Sequence, residues 1–209
     1  MAGLVNHAIT TKTVKQMLFK GGVYYKNLKV TTNNWTGDVL GATSGGGKIA
    51  IEETFVDAEL DGAGVKLKDA KVKTGETASM EINFVEISAD VIAMGLHMDK
   101  ASDENASEYD KYVTRGTVKE ADYLENVAFV GELNSGKKAI VIFENAFCTG
   151  SFEAEVKYGE QATYALTFEG HATLEQSTLD HLPITMYFPK DNTMMMATRE
   201  QIEEELKEV

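Results

Sequence analysis

The segment Gly41-Ala-Thr-Ser-Gly-Gly-Gly-Lys48 comes nearest to a chemical motif, since a glycine-rich turn ending in lysine is how a backbone cradles phosphate. Its spacing fails that chemistry. The first glycine stands one place too early, and Ile49 follows the lysine where a serine or threonine would ligate Mg²⁺. A connecting loop is expected. The histidines His7, His97, His171 and His181 show no HxH or HxxxH spacing, so a metal site built from them would need long-range convergence. Asp99, Asp103 and Asn105 lie close together, but a calcium loop starting at Asp99 would have Ala101 at its third position and Glu104 where glycine is required. Cys148, between Phe147 and Thr149, reads as a small packed residue rather than a nucleophile. Ser44 and Ser151 sit in no nucleophile elbow, and the Glu52-Glu53 pair is what chance supplies among 33 acidic residues. Asn34-Trp-Thr36 and Asn105-Ala-Ser107 match the glycosylation pattern, but no secretory signal precedes them. No catalytic, cofactor-binding or metal-binding residue is predicted, and the expected protein is not an enzyme. Two clusters suit contact better than catalysis. Phe19, Tyr24, Tyr25 and Trp35, in the most basic part of the chain, could stack nucleic-acid bases or anchor an N-terminal arm on another subunit. Met194-Met-Met196 could be an adaptable contact surface or ordinary packing.

The elements that would position these residues are mostly strands. Residues 1–47, rich in Thr, Asn and Gly, read as an arm plus loops. From Lys48 the alternation of Ile49 and Ile51 with Ala50 and Glu52, the Asp61-Gly62 turn signal and the return at Val65-Lys-Leu-Lys68 predict a hairpin. The clearest strand follows: Ala78, Met80, Ile82 and Phe84 alternate with Thr77, Ser79, Glu81 and Asn83, giving one core face and one polar face. It runs into a short helix with Ser88 as N-cap, Asp90 in the first turn, and Val91, Ile92 and Leu96 at helical spacing. Residues 99–110 are polar, acidic and aperiodic, which predicts an exposed loop. Strands are expected at Tyr123–Leu133, Lys137–Phe147, Ser151–Tyr158 and Gln161–Leu174, forming an antiparallel meander. Thr198-Arg-Glu-Gln201 fits a capping box, and Ile202, Leu206 and Val209 share one face of a closing helix over 198–209. A helix so short is marginal alone, so it docks on its own domain or on a neighbouring subunit.

Composition bounds the class. With 209 residues and 43% hydrophobic content, a single domain is expected across 1–209. The net charge of −13 opposes phosphate-backbone binding. That charge is uneven: Met1–Ala50 holds six lysines and one aspartate, and the remainder carries the acidic excess, an asymmetry suited to copies meeting head to tail or to a solvated surface. One cysteine excludes an internal disulfide, and the longest apolar runs, such as Ala139–Phe143, are far too short to cross a bilayer. A soluble protein made in a cytoplasm, with no membrane partner, is expected. No 20- to 50-residue repeat is present.

The order of segments resembles the tail tube (major tail) proteins of siphophages. Gly22-Val-Tyr-Tyr25 leading to Trp35, the Gly41–Gly47 loop before a hairpin, the Asp61-Gly62 turn and the strand-to-helix run from Gly75 through Ser88 to Leu96 carry the resemblance, which covers about 21–174. It implies a mainly β fold of two packed antiparallel sheets, a sandwich or barrel with a short flanking helix. It also implies hexameric rings stacked into a tube whose lumen houses a tape-measure protein and conducts DNA. The implied partners are further copies of the chain, the tape-measure protein, tail terminator and tail-tip proteins, and genomic DNA passing without specific binding. The implied location is the virion tail, assembled in the host cytoplasm. The inner tube of a contractile injection system is a second reading on a similar fold, and a β-rich small-molecule binder or enzyme is a distant third.

Overall fold

Period-two alternation over 77–84 puts every second side chain on one side of a pleated strand, and this stretch is the inner half of one of the longest strands in the chain. The computed structural model describes residues 11–31, 34–58, 65, 68, 70–103, 108–149, 152–154, 158–159, 161–177 and 182–190. Its elements in chain order are α1 (Thr11–Gln16), β1 (Leu18–Val30), β2 (Trp35–Val39), β3 (Thr43–Asp57), β4 (Lys71–Phe84), α2 (Ala89–Gly95) and β5 (Met98–Ala101). There follow β6 (Lys111–Thr114), a 3-10 turn at Glu120–Asp122, β7 (Leu124–Leu133), β8 (Lys138–Cys148), β9 (Tyr164–Glu169), α3 (Leu174–Ser177) and β10 (Ile184–Tyr187). The protein is mainly β, with every pairing antiparallel.

Two layers share a corner. One layer is β2-β1-β7-β8, with β10 on the far side of β8, and the other is β3-β4-β9. Strand β8 belongs to both: Ile140–Phe143 pair with β10, whereas Phe147 and Cys148 pair with Glu169 and Phe168 of β9. Asn145, at the change of partner, has φ of 48°, and its Nδ2 donates to the His171 carbonyl and to Gln176 Oε1 at 3.0 and 3.1 Å. A bend of this kind is how one strand passes from sheet to sheet.

The core lies between the layers. Met80, Ile82 and Phe84 of β4 and Leu166 and Phe168 of β9 meet Tyr24, Val127 and Phe143 of the facing layer. Ala78, Met80, Ile82 and Phe84 are buried, as the alternation requires, and each large side chain contributes about 1.5–3 kcal/mol by leaving water. Helix α2 closes one side: Val91 joins the core, and Gly95 lies so close to Leu166 that an added Cβ would come within 2.8 Å of its Cδ2. The first layer is apolar on its other face too, where Leu28, Ala128, Val130, Ile140 and Ile142 form a second cluster with Tyr25, Val30 and Trp35. That is why 127–130 and 139–143 read as continuous apolar runs while 77–84 alternates.

Several sequence expectations are corrected. Residues 18–30 and 35–39 form strands rather than an arm with loops, because Thr, Tyr, Val and Trp there fill a sheet edge. The Gly41–Gly47 loop is largely strand: Ser44, Gly45 and Gly46 bulge opposite the single residue Asn83, whose Nδ2 donates to the Gly46 carbonyl at 3.1 Å. Gly45 and Gly46 take φ of 78° and 81°, which a side chain would strain. The returning strand starts at Lys71 and not at Val65–Lys68, where residues 65 and 68 lie in a bend and a turn. The Asp61-Gly62 turn and the 198–209 helix lie outside the described residues. Of the loop expected over 99–110, residues 99–101 belong instead to β5, which pairs with β6 through Asp99↔Val113 and Lys100↔Tyr112, while 102–103 and 108–110 carry no strand. Charge pairing, not apolar periodicity, holds this hairpin, so periodicity gave no signal. No strand occurs in the described part of 151–158, where Phe152 packs against Tyr164 with ring centroids 5.1 Å apart. The long strand expected to Leu174 ends at Glu169, and Leu174 opens α3 with most of its surface exposed.

Candidate assembly surface

The residues that sequence reasoning singled out for chemistry do not converge. Lys48 lies inside β3 beside Glu81, on a strand and not at the helix N-terminus where a phosphate cradle forms. His97 hydrogen-bonds the Cys148 carbonyl through Nε2 at 3.0 Å and stacks on Phe147 at 4.5 Å. His171 meets the same Phe147 edge-on, at 6.1 Å, and contacts the Glu169 carbonyl through Nδ1. Cys148 is buried in the core. Asp99 is held by Lys119 and Arg115, and Asp103 by Lys111. Glu52 and Glu53 alternate along β3, and Glu53 pairs with Lys73 at 2.7 Å. Among the described residues no group of three or more His, Cys, Asp or Glu side chains is placed to hold a metal ion. The aromatic cluster divides: Tyr24 packs in the core against Phe129, whereas Tyr25 and Trp35 join the second cluster. His7, His181, Asn105, Ser151 and Met194–Met196 lie outside the described residues, as does the Phe19 side chain.

What converges instead is a surface. Register places Lys48, Glu81 and Thr167 side by side, then Ala50, Ser79 and Glu169, then Glu52 and Thr77, with Asn83 beside Ala165. All point away from the core, because their neighbours Ile49, Met80 and Phe168 point into it. The outer face of the second layer therefore consists of short polar side chains with one lysine and three glutamates. Among the described residues strand β3 ends the strand order of that layer and no strand pairs with its outer edge, along which its 15 residues include no proline.

Strands β3 and β4 outrun their sheet. Strand β9 pairs with β4 only from Ser79 to Phe84, so beyond Ala78 the two strands continue as a two-stranded ribbon to Asp57 and Lys71. Lys73 bridges Glu53 and Glu76 on the ribbon, and Phe55, Val56 and Val72 near its end are each about half exposed. Register sets Val56 opposite Val72 on one face of the ribbon and Phe55 opposite Lys73 on the other, where the Lys71 ammonium lies 5.6 Å from the Phe55 ring centroid. Where the ribbon leaves the body there is a cavity of about 500 Å³ lined by Glu52, Glu76, Glu169 and His171. Two of its carboxylates are engaged: Glu76 Oε2 accepts from the Leu182 N–H at 2.8 Å, and Glu169 Oε1 accepts from Thr149 Oγ1 at 3.0 Å.

A separate electrostatic network holds the β5–β6 hairpin to the body. Arg115 bridges Asp99 and Asp122, Lys119 pairs with Asp99 at 2.7 Å, and Tyr112 donates to Asp90 at 3.0 Å. The Lys119 ammonium, with Arg115 behind it, holds the Asp99 carboxyl below its ordinary value. Burial works against the charge on Asp122, but the Lys119 backbone N–H and the Arg115 guanidinium outweigh it and lower its pKa as well.

The fold so described is a two-layer antiparallel β structure with an open edge and a projecting ribbon. No protein-family model matches the chain, and no curated protein matches it. Solved structures do. A chain of the virion of a native gene transfer agent particle is 12% identical over 80% of this chain and 95% of that chain, with a TM-score of 0.40. A chain from the tail of an empty gene transfer agent particle, refined helically with C6 symmetry, is 16% identical over 79% of this chain and 95% of that one, with a TM-score of 0.37. A chain of the anti-feeding prophage baseplate is 8% identical over 83% of this chain and 97% of that one, with a TM-score of 0.40.

Proposed function

We propose that this chain is the structural subunit of a phage tail tube, which closes into rings by pairing sheet edges between copies and stacks those rings around a polar lumen. The observation that supports it best is the free β3 edge on a sheet whose outer face is short, polar and net acidic. A long, proline-free edge is a template for another strand, and closing such edges into a ring removes them. The wall so formed carries two negative charges per copy at these positions, which keeps phosphate from adhering as DNA passes. On this reading the rings are hexameric, the lumen first houses a tape-measure protein, and terminator and tip proteins cap the ends.

Electron microscopy of the purified protein tests the reading, together with amide exchange along β3. Rings or tubes are expected, with β3 amides directed away from β4 exchanging freely in the subunit and protected after assembly. A monomer that persists at high concentration, or tubes in which the β3 edge still exchanges, would sink it.

A further inference from the structure

The outer face of the first layer is buried more deeply than its own sheet can bury it. Ala128 and Val130 of β7 and Ile140 and Ile142 of β8 are 0%, 5%, 5% and 6% exposed. Every described hydrophobic residue packed against their cluster, Tyr25, Val30 and Trp35, belongs to β1 or β2 of the same sheet. Neighbours in the plane of a sheet shield the flanks of a side chain and leave its tip open. Isoleucines on β8, two strands away from Tyr25, therefore reach such burial only under a further layer. A sheet that is apolar on both faces needs a layer on each, and β3-β4-β9 supplies only one of them.

The cover must be apolar on one side, long enough to cross three strands, and able to start at the border of the face. Residues 191–209 satisfy all three. Tyr187 of β10 pairs with Ile140, so it stands beside that isoleucine on the same face, and the described chain ends three positions later at Lys190. Positions 191–197 precede the helix expected over 198–209 and reach roughly 23 Å when extended, whereas β1 and β8 are only about 10 Å apart across β7. A helix over 198–209 is about 18 Å long, enough to span those strands. Its apolar stripe is Ile202, Leu206 and Val209, and Glu204 lies on the opposite side. Such a helix is marginal in water by itself, and an apolar sheet face is what would stabilise it.

We propose that residues 198–209 cover the outer face of the first layer in the same copy, laying Ile202, Leu206 and Val209 over Ala128, Val130, Ile140 and Ile142. The subunit is then three layers deep, with the polar sheet face on one side and a glutamate-rich helix on the other. The proposal concerns the single subunit and does not rest on the tube reading.

Trp35, the only tryptophan in the chain, packs against this cluster and reports on its cover. The measurements are Trp35 emission and binding of the apolar dye anilinonaphthalene sulfonate, at a concentration where scattering shows a monomer. In the full chain Leu206→Asp is expected to move the emission to longer wavelength and to add dye binding, Leu206→Ala to do so less, and Glu204→Gln to change neither. The chain ended at Lys190 is expected to behave as Leu206→Asp, and a peptide of residues 191–209 to restore the original emission. Should that shortened chain not fold, the point variants decide, with far-ultraviolet circular dichroism confirming that their sheets are kept. Unchanged emission and dye binding in Leu206→Asp would overturn the proposal. So would a response confined to removal of residues 1–10, which would make that segment the cover. Trp35 shielding that arises in the wild type only as concentration rises would also overturn it, because the cover would then come from a second copy. Failure to form rings or tubes would leave this proposal standing.

Discussion

Replacing Ser88 with alanine should barely matter, although its position before α2 makes it look like a working cap. An N-cap serine removed from a helix costs about 1 kcal/mol when its hydroxyl holds an N–H of the first turn. Ser88 stands at the N-cap with φ −101° and ψ 125°, yet its side chain makes no capping hydrogen bond. Tyr164 secures this corner instead. Its hydroxyl donates to the Glu86 carbonyl at 2.7 Å, the Ser88 backbone N–H donates to the phenolic oxygen, and the ring stacks on Phe84 at 5.4 Å. The residue is buried, so Tyr164→Phe preserves the packing but leaves the Glu86 carbonyl without this donor. A net loss of about 1–2 kcal/mol follows, which at a slope of about 2 kcal/mol/M lowers the urea midpoint by roughly 0.5–1 M. Ser88→Ala should move it by less than about 0.25 M on the same slope. The assay is urea unfolding followed by near-ultraviolet circular dichroism, at a protein concentration where scattering shows no assembly, because assembly would add its own stabilisation. A Ser88→Ala midpoint falling further than that of Tyr164→Phe would refute the claim that the tyrosine organises the turn.

Two further outcomes test the packing and the electrostatics. Gly22→Ala places a Cβ against the Phe129 ring and within 2.6 Å of the Val130 carbonyl, so it should cost about 1–3 kcal/mol and lower Tm by roughly 3–10 °C; Gly116→Ala, which meets nothing within 4 Å, is the control and should stay within about 0.5 kcal/mol. The folded pKa values of Asp99 and Asp122 are lowered, so the stability they contribute is present above the ordinary carboxyl value of 3.8 and is lost as pH falls through their depressed values. Amides of β5 and β6 should therefore lose exchange protection below about pH 4 before those of β7 and β8 do, and molar salt should weaken the hairpin at neutral pH; simultaneous loss across all strands would contradict a separately held hairpin.

How much of this was legible in the sequence depended on what held each element in place. Residues 77–84 were plain because one side faces a core and the other water, and β7 and β8 were plain because apolar runs ended at Asn134-Ser-Gly136. Strands whose cohesion is not apolar were invisible. The β5–β6 hairpin is held by Lys100–Asp110 and the Arg115 network, and charged residues without period read as loop. Glycine misled in a different way: Gly45 and Gly46 signal a loop in isolation, yet here they bulge a strand whose Gly46 carbonyl accepts from Asn83 Nδ2. Strand β10, four residues flanked by Pro183 and Pro189, is too short to show a period and exists because β8 offers it Ile140–Phe143. The candidate surface was half legible. Alternation established that Thr77, Ser79, Glu81 and Asn83 share a face, but their alignment with Lys48, Ala50, Thr167 and Glu169 is a matter of register, and register between distant strands leaves no local trace.

That face explains a choice the core does not require. A wet sheet surface tolerates Lys and Arg readily, since their long stems cover apolar area while the head groups stay in water. The outer face of β3, β4 and β9 carries instead Ala50, Thr77, Ser79, Asn83, Ala165 and Thr167, with carboxylates outnumbering Lys48. Short side chains give up that cover and gain a smooth wall of fixed width. On the tube reading that gain serves whatever passes close along the sheet, and the deficit of cations keeps a polyanion from adhering. A monomeric binder would place its functional groups in a cavity, whereas two of the three glutamates lining the cavity at the base of the ribbon, Glu76 and Glu169, are tied up in hydrogen bonds and ion pairs. On the tube reading the sheet works as a surface, which becomes a wall only when other copies continue it.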